Sequence, residues 1–301
     1  MRLLALDHGA KRIGVLFGAV VLALLLYVSF RTHEPVVNGK LISFWLDAGR
    51  RGSSEAAEGV GSAYRAMDEE CVRWLARELE WKPNQIRDSV ASVANHFFGD
   101  AMLRSTPGDR RIAAAVALGN LGERALPAVP ALRKAAQANV DPQSVWVRAA
   151  ATAALIRLGQ ETIQTSMAAL GDTSNLLKWR EAVFALQGLG SNAAPAVPIL
   201  AGMLASTNLL AVRYDAVRFL GAVGMRPDLS VPVLVNALEE PRIRRSALVS
   251  LSRFGRAASN ATEAVVACLT DTNAVIRVDA GRALRAINPE RANLLTNNPA
   301  Q

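Results

Sequence analysis

The sequence predicts an all-α fold: stacked helix pairs forming an α-solenoid, preceded by one N-terminal hydrophobic helix. Three observations predict it. A motif of Ala, Leu and Gly at steps of four residues recurs between residues 114 and 255. An uninterrupted apolar stretch occupies 13–30. Hydrophobic residues make up 51% of the 301-residue chain but aromatic residues only 5%, so the core must be mostly Ala, Leu and Val. That palette suits closely spaced helices better than sheets, which favour β-branched and aromatic side chains.

From the N-terminus, residues 1–12 are expected to form a short cytoplasmic segment carrying Arg2, Lys11 and Arg12. Ile13 to Phe30 contains 18 residues without a charge, which at 1.5 Å per residue reaches about 27 Å, enough for a hydrocarbon core. No small-residue cleavage site follows, so the stretch reads as an uncleaved single-pass anchor rather than a secretory signal. The basic residues before it place the N-terminus in the cytoplasm and the repeats outside. Residues 31–52 are expected to be a juxtamembrane linker. Residues 53–107 fit a repeat poorly. There, 53–67 and 69–81 read as a diverged helix pair, and 83–104 as further helix.

The array proper is expected over 108–288. Gly122, Gly159, Gly190, Gly224 and Gly255 recur, with a Leu four residues before each and an Ala eight before. Steps of four put the Ala and Leu on one helical face, and the Gly reads as the helix stop. Arg111, Arg148, Arg180, Arg213 and Arg244 stand ten or eleven residues before these glycines, and Arg277 heads a sixth copy ending at Asn288-Pro289. Pro130, Pro198 and Pro232 follow by eight, where proline fits the first turn of a second helix. Each unit therefore reads as first helix, Gly turn, second helix. Residues 289–301 are expected to be a C-terminal tail.

The phrases VRAAATAALIRLG, ERALPAVPALRKA, SNAAPAVPILAGML and DTNAVIRVDAGRALRAI resemble HEAT repeats, particularly the short bacterial type called phycobilisome-lyase HEAT-like repeats. The resemblance covers about 108 to 288. It implies that each recurring Arg joins a polar ladder with an Asp or Asn near the preceding interhelical turn, as in Asp271-Thr-Asn273 before Arg277 and Asp172-Thr-Ser-Asn175 before Arg180. NGKLISFWLDAGRRG looks like the juxtamembrane stretch of some membrane-anchored bacterial HEAT proteins. Residues 1–15, MRLLALDHGAKRIGV, also resemble the opening of the Holliday-junction resolvase family. That resemblance implies Asp7 as a metal-binding carboxylate. The further strands and acidic ligands such a fold needs do not follow, and one carboxylate cannot hold a metal pair, so no nuclease activity is expected.

The chain carries a net charge of +8 from 34 basic and 26 acidic residues. Only 5 of the basic residues are Lys, and none forms a run longer than two. Charge spread in this way does not read as a phosphate-binding tail. Cys71 and Cys268 match no metal spacing and read as small core residues. His8, His33 and His96 do not cluster, and no metal, phosphate-loop or nucleophile motif is present. No cofactor, metal site or catalytic residue is therefore expected, and the chain is expected not to be an enzyme.

Counted from the Pro130 position, Leu132, Leu200, Leu234 and Val265 should face inward. The exposed face two and five residues later holds Lys134, Gly202, Asn236 and Ala267, then Gln137, Ala205, Glu239 and Thr270. This concave face is small and nearly neutral, unlike a phosphate-tracking groove. Lys134, Gln137, Asn236 and Glu239 are its candidate partner-binding residues. The expected function is a membrane-tethered, non-enzymatic scaffold that binds a protein partner, with nucleic acid disfavoured. The alternatives are a phycobilin-lyase-like enzyme or accessory, or a DNA-binding HEAT-like solenoid.

Overall fold

The computed structural model describes residues 34–51, 54–80, 107–138, 144–206 and 209–297. The chain divides into two compact units, Met1–Val147 and Arg148–Gln301.

The described part of the first unit opens with a hairpin, β1 (Val36–Val37) against β2 (Lys40–Leu41), paired antiparallel as Val36 with Leu41 and Val37 with Lys40. Its turn is Asn38-Gly39 with φ of 49° and 72°, the left-handed geometry that a two-residue hairpin needs and that this dipeptide adopts readily. Helix α1 (Ile42–Arg51) follows directly. Glu34 Oε1 accepts the Ser43 N–H at 2.7 Å, and the Trp45 indole N–H donates to the Val37 carbonyl at 2.7 Å. Val37, Ile42, Trp45 and Leu46 are buried. The stretch read from sequence as a linker is thus, from Glu34 to Arg51, a packed hairpin and helix, held by apolar burial.

Helices α2 (Ser54–Ala66) and α3 (Glu69–Glu80) form the diverged pair, and α4 (Pro107–Asn120) packs on both α1 and α3. Arg124, in the 3₁₀ turn Gly122–Ala128, donates to the carbonyls of Tyr64, Arg65 and Met67 at 3.0, 3.0 and 2.9 Å. A guanidinium there satisfies carbonyls that α2 leaves without intrahelical partners. Helix α5 (Val129–Ala136), with Pro130 in its first turn, packs on α3.

Helix α6 (Ser144–Arg157) contributes its residues from Arg148 onward to the second unit. There the helices alternate: α7 (Ile163–Leu170), α8 (Leu176–Gly188), α9 (Val197–Ser206), α10 (Leu210–Val223), α11 (Pro227–Asn236), α12 (Pro241–Phe254), α13 (Thr262–Ala267), α14 (Ala274–Ile287) and α15 (Pro289–Asn297). The first helices of successive repeats, α8, α10, α12 and α14, pack side by side in that order. Each buries its motif: Ala182, Ala216, Ala247 and Ala280, with Leu186, Leu220, Leu251 and Leu284, belong to one continuous core. From the second helices, Leu200, Leu234 and Val265 reach the same core fully buried.

Gly122, Gly159, Gly190, Gly224 and Gly255 all take left-handed φ, between 54° and 69°, so the recurring Gly is required by the backbone where each first helix stops. After Gly122, Gly190 and Gly255 the chain makes a seven-residue 3₁₀ turn before its second helix. Pro130 and Pro198 then occupy first-turn positions, as expected. Pro232 does not. Its helix starts five residues earlier at Pro227, after Arg226 in a left-handed conformation, so Pro232 lies inside α11. The chain also continues as helix past the last repeat. Asn288 ends α14, and α15 packs on that helix with Ala292 buried.

The membrane assignment is corrected. Among the described residues no helix is long and apolar enough to cross a membrane, so the structure does not support a single-pass protein with extracytoplasmic repeats. The 13–30 stretch on which that expectation rested lies outside the described residues, as do Asp7, the three histidines and all of 81–106.

The closest approach between first helices sets one expected outcome. A Cβ built on Gly221 of α10 would fall on Ser250 of α12, 2.6 Å from its Cα. That atom is backbone, so relief requires the helices to part. Gly221→Ala should lower stability by about 1–3 kcal/mol, measured as a lower midpoint of thermal unfolding by circular dichroism. Leu220→Asp should cost more and melt the neighbouring repeats together, because it leaves an unpaired charge in a shared core. An unchanged midpoint for Gly221→Ala would mean that these helices do not approach so closely.

Candidate functional site

In the second unit the repeat arginines connect one repeat to the next. Arg148 donates from Nε to Glu181 Oε2 at 2.9 Å, Arg180 to Asp215 Oδ2 at 2.8 Å, and Arg245 to Asp279 Oδ2 at 2.8 Å. Each acceptor stands nine residues before its own repeat's terminal position, so the same site on successive first helices receives the bond. Asp215 and Asp279 are buried. Asp279 also accepts from Arg282, one turn along its own helix, at 3.1 Å.

A second register serves Arg213 and Arg244. Arg244 Nη1 meets Asp271 Oδ2 at 2.6 Å, its Nε donates to the Leu238 carbonyl, and Arg213 Nη1 lies 3.5 Å from Glu240 Oε2. Both carboxylates belong to the turn leading into the following first helix. The ladder expected from the sequence is present, but most of its carboxylates lie downstream of the arginines they serve. Asp172 is taken up locally, by the Ser174 N–H at 2.9 Å and hydroxyl at 2.5 Å, rather than by Arg180. Arg277 donates to the backbone carbonyls of Asp271 and Thr272. In the first unit Arg111 donates to the Leu79 carbonyl at the end of α3.

The Asp-x-x-Asn and Asp-x-Asn phrases have a local meaning too. Asn175 and Asn273 accept from the N–H groups of Lys178 and Val275 and so cap α8 and α14. Caps of this kind satisfy the orphan donors of a helix start. The Asp271 carboxyl is held below the usual carboxylate range, chiefly by the Asn273 backbone N–H and then by Arg244.

These bonds leave one face of the first helices open. Residues two or three, six, ten and thirteen before each terminal position fall within about 100° of arc. On α10, α12 and α14 that stripe exposes Tyr214, Val249, Val275 and Val278 beside Arg218, Arg242, Arg253 and Arg285. None of these four arginines has a carboxylate within ion-pair reach among the described residues, and Arg218 lies over the Tyr214 ring, 5.7 Å from its centroid.

The candidate residues on the second helices are all exposed. Lys134 is already paired with Glu80 at 2.9 Å, and it and Gln137 belong to the first unit. Asn236 and Glu239 belong to the second. Trp179 is fully buried while Trp146 is exposed. Trp179 stands eleven before its Gly and points inward, whereas Trp146, in the first unit, stands thirteen before its Gly. Cys71 and Cys268 are buried free thiols. Burial pushes Cys71 up to about 11, and it raises Cys268 as well, so both stay protonated at neutral pH. Among the described residues no group of His, Cys, Asp or Glu is placed to hold a metal.

The family described as PBS lyase HEAT-like repeat matches residues 110–138, the stretch that contains α5 and most of α4. No curated protein matches the chain. A solved structure titled as human deoxyhypusine hydroxylase in complex with glycerol is similar at 20% identity, covering 82% of this chain and 97% of that one, with a TM-score of 0.35. The chain is a helical-repeat protein with a HEAT-like repeat. The expectation that it is not an enzyme is corrected. The description of the matched repeat family itself names a lyase, so a HEAT-like repeat does not set the chain apart from catalysts.

The lowered Asp271 carboxyl makes stability depend on pH in a stated direction. Its contribution is fully present above the unfolded carboxylate value of about 3.9 and is lost as pH falls through the lower folded value. Asp271→Asn should therefore lower the unfolding midpoint at pH 7 and differ progressively less from wild type below about pH 4. A gap that stays constant down to pH 2 would show that the carboxylate's charge plays no part.

Proposed function

We propose that the chain is a HEAT-like repeat protein that binds a protein partner through the open face of the first helices in residues 148–297. The supporting observation is that stripe itself. Apolar and aromatic side chains stand exposed beside unpaired arginines on helices that buried ion pairs hold in register. Arg and Tyr are the residue types that dominate binding energy at protein interfaces, and a held helix face loses little entropy when a partner docks. The ends of the second helices in this unit, at Asn236 and Glu239, are secondary contact positions in this reading.

Site-specific photo-crosslinking in cells tests it. A photoreactive residue at Val249 should trap a discrete polypeptide, and one at Thr270, on the second-helix side, should trap much less. Equal capture, or none, from the two positions would sink the reading.

A second reading rests on the family match at 110–138, whose description names a lyase of the PBS type. It assigns the chain a role in handling a bilin chromophore. Adding a free bilin to the purified chain should then shift and sharpen the chromophore's visible absorption. A spectrum identical to the bilin in buffer would remove this alternative.

A further inference from the structure

We infer that the partner segment seated on this face is an acidic amphipathic helix, with Asp or Glu and large apolar residues on the same side. The inference rests on the protein-binding reading above and adds the chemistry of the partner. Helices α8, α10, α12 and α14 together hold eleven Lys or Arg and three Asp or Glu. The three acids offset only part of that charge: Asp215 takes up Arg180, and Asp279 is shared by Arg245 and Arg282. Asp215 and Asp279 lie buried beneath it, and Glu181 is bonded to Arg148. The surface is therefore basic above an internally neutralised layer.

The arrangement of that charge selects the partner. Ten residues before the terminal positions, Arg180, Tyr214, Arg245 and Val278 alternate across the four helices. Six before, Arg218, Val249 and Arg282 alternate across the last three in the opposite phase. Arginine and apolar positions thus form a checkerboard whose rows are separated by the roughly 8–10 Å of packed helices. Arg218 has no carboxylate partner among the described residues, while Arg180, Arg245 and Arg282 each bond a buried Asp and keep much of the side chain exposed. A phosphate backbone would be served by the arginines but would leave the apolar squares against hydrated phosphates. A helix bearing carboxylates and Leu- or Phe-sized side chains at i, i+3 and i+4 covers both kinds of square. Arg suits this use because its planar fork binds carboxylates in two-point fashion while its stem lies on apolar neighbours.

Fluorescence anisotropy with the full chain tests the inference. The probe is a labelled amphipathic peptide of about twenty residues, with Glu and Leu sharing one face. Comparison probes carry Lys in place of Glu, or Ser in place of Leu, and a short DNA duplex serves as the fourth. The Glu/Leu peptide should bind tightest, and both substituted peptides should bind at least about tenfold more weakly. Arg218→Glu with Arg285→Glu should weaken the Glu/Leu peptide by about tenfold or more. Neither arginine belongs to the ladder, so the circular dichroism spectrum and unfolding midpoint should be preserved. Arg242→Glu with Arg253→Glu provides an independent pair should the first fail to fold. Equal binding of the Glu and Lys peptides, tighter binding of DNA, or insensitivity to both charge reversals would overturn the inference. If Val249 still crosslinks a polypeptide in such a case, protein binding stands and only the partner's chemistry is wrong. If crosslinking fails as well, both readings fall.

Discussion

Helix pairs of this size cannot bury their apolar faces alone, and the second unit depends on the contact between successive first helices. That contact is made close by small residues. Gly221 faces Ser250 with no room for a methyl group, and the Ser250 hydroxyl, itself buried, donates to the Val217 carbonyl at 2.9 Å. Gly188 and Ala153 approach in a similar way, with 3.0 Å between a built Cβ and the alanine methyl. Small residues at the seam let the Leu positions on either side interdigitate, so the core runs through the repeats without a break. Close packing of this kind makes the interior resist changes of even one methylene.

The ion-pair ladder is a consequence of the same stacking. Once the first helices lie side by side, an arginine ten or eleven residues before one terminal position comes opposite a carboxylate nine before the next, or in the turn just ahead of it. Exposed ion pairs contribute little by themselves, about 0–1 kcal/mol. Asp215 and Asp279 differ because they are buried, and leaving either without its arginine would strand a charge. The ladder's main effect is to set register. It also uses up the acids of this face, which is why the remaining arginines stand uncompensated at the surface.

The first unit is built by different means. Its Asn38-Gly39 hairpin, the Trp45 side chain bonded to Val37 and the Arg124 guanidinium across the end of α2 each join local pieces through specific polar contacts over apolar burial. The hairpin had a readable signal in the Asn-Gly dipeptide between apolar residues, but a stretch of two paired residues per strand is too short for periodicity to reveal. Arg124 could not have been singled out. Its three acceptors are backbone carbonyls, which have no side-chain signature, and they lie some sixty residues away in the chain.

By itself the sequence determined the repeat unit. Positions spaced by four residues fall on one face of any α-helix, so Ala216 and Leu220 were bound to share a buried side. A Gly where each first helix stops was bound to mark a left-handed stop. The inward row Leu132, Leu200, Leu234 and Val265, and the exposed positions beside it, follow from the same geometry. Tertiary structure alone decided which acid each arginine meets, because that pairing joins residues about thirty apart and depends on how the helices stack. It also decided which of the many arginines are left over. Arg218 and Arg245 look alike in sequence, six and ten residues from their glycines on equivalent faces of neighbouring helices. Only the stacking brings a carboxylate under one of them and leaves the other to an aromatic ring and to solvent.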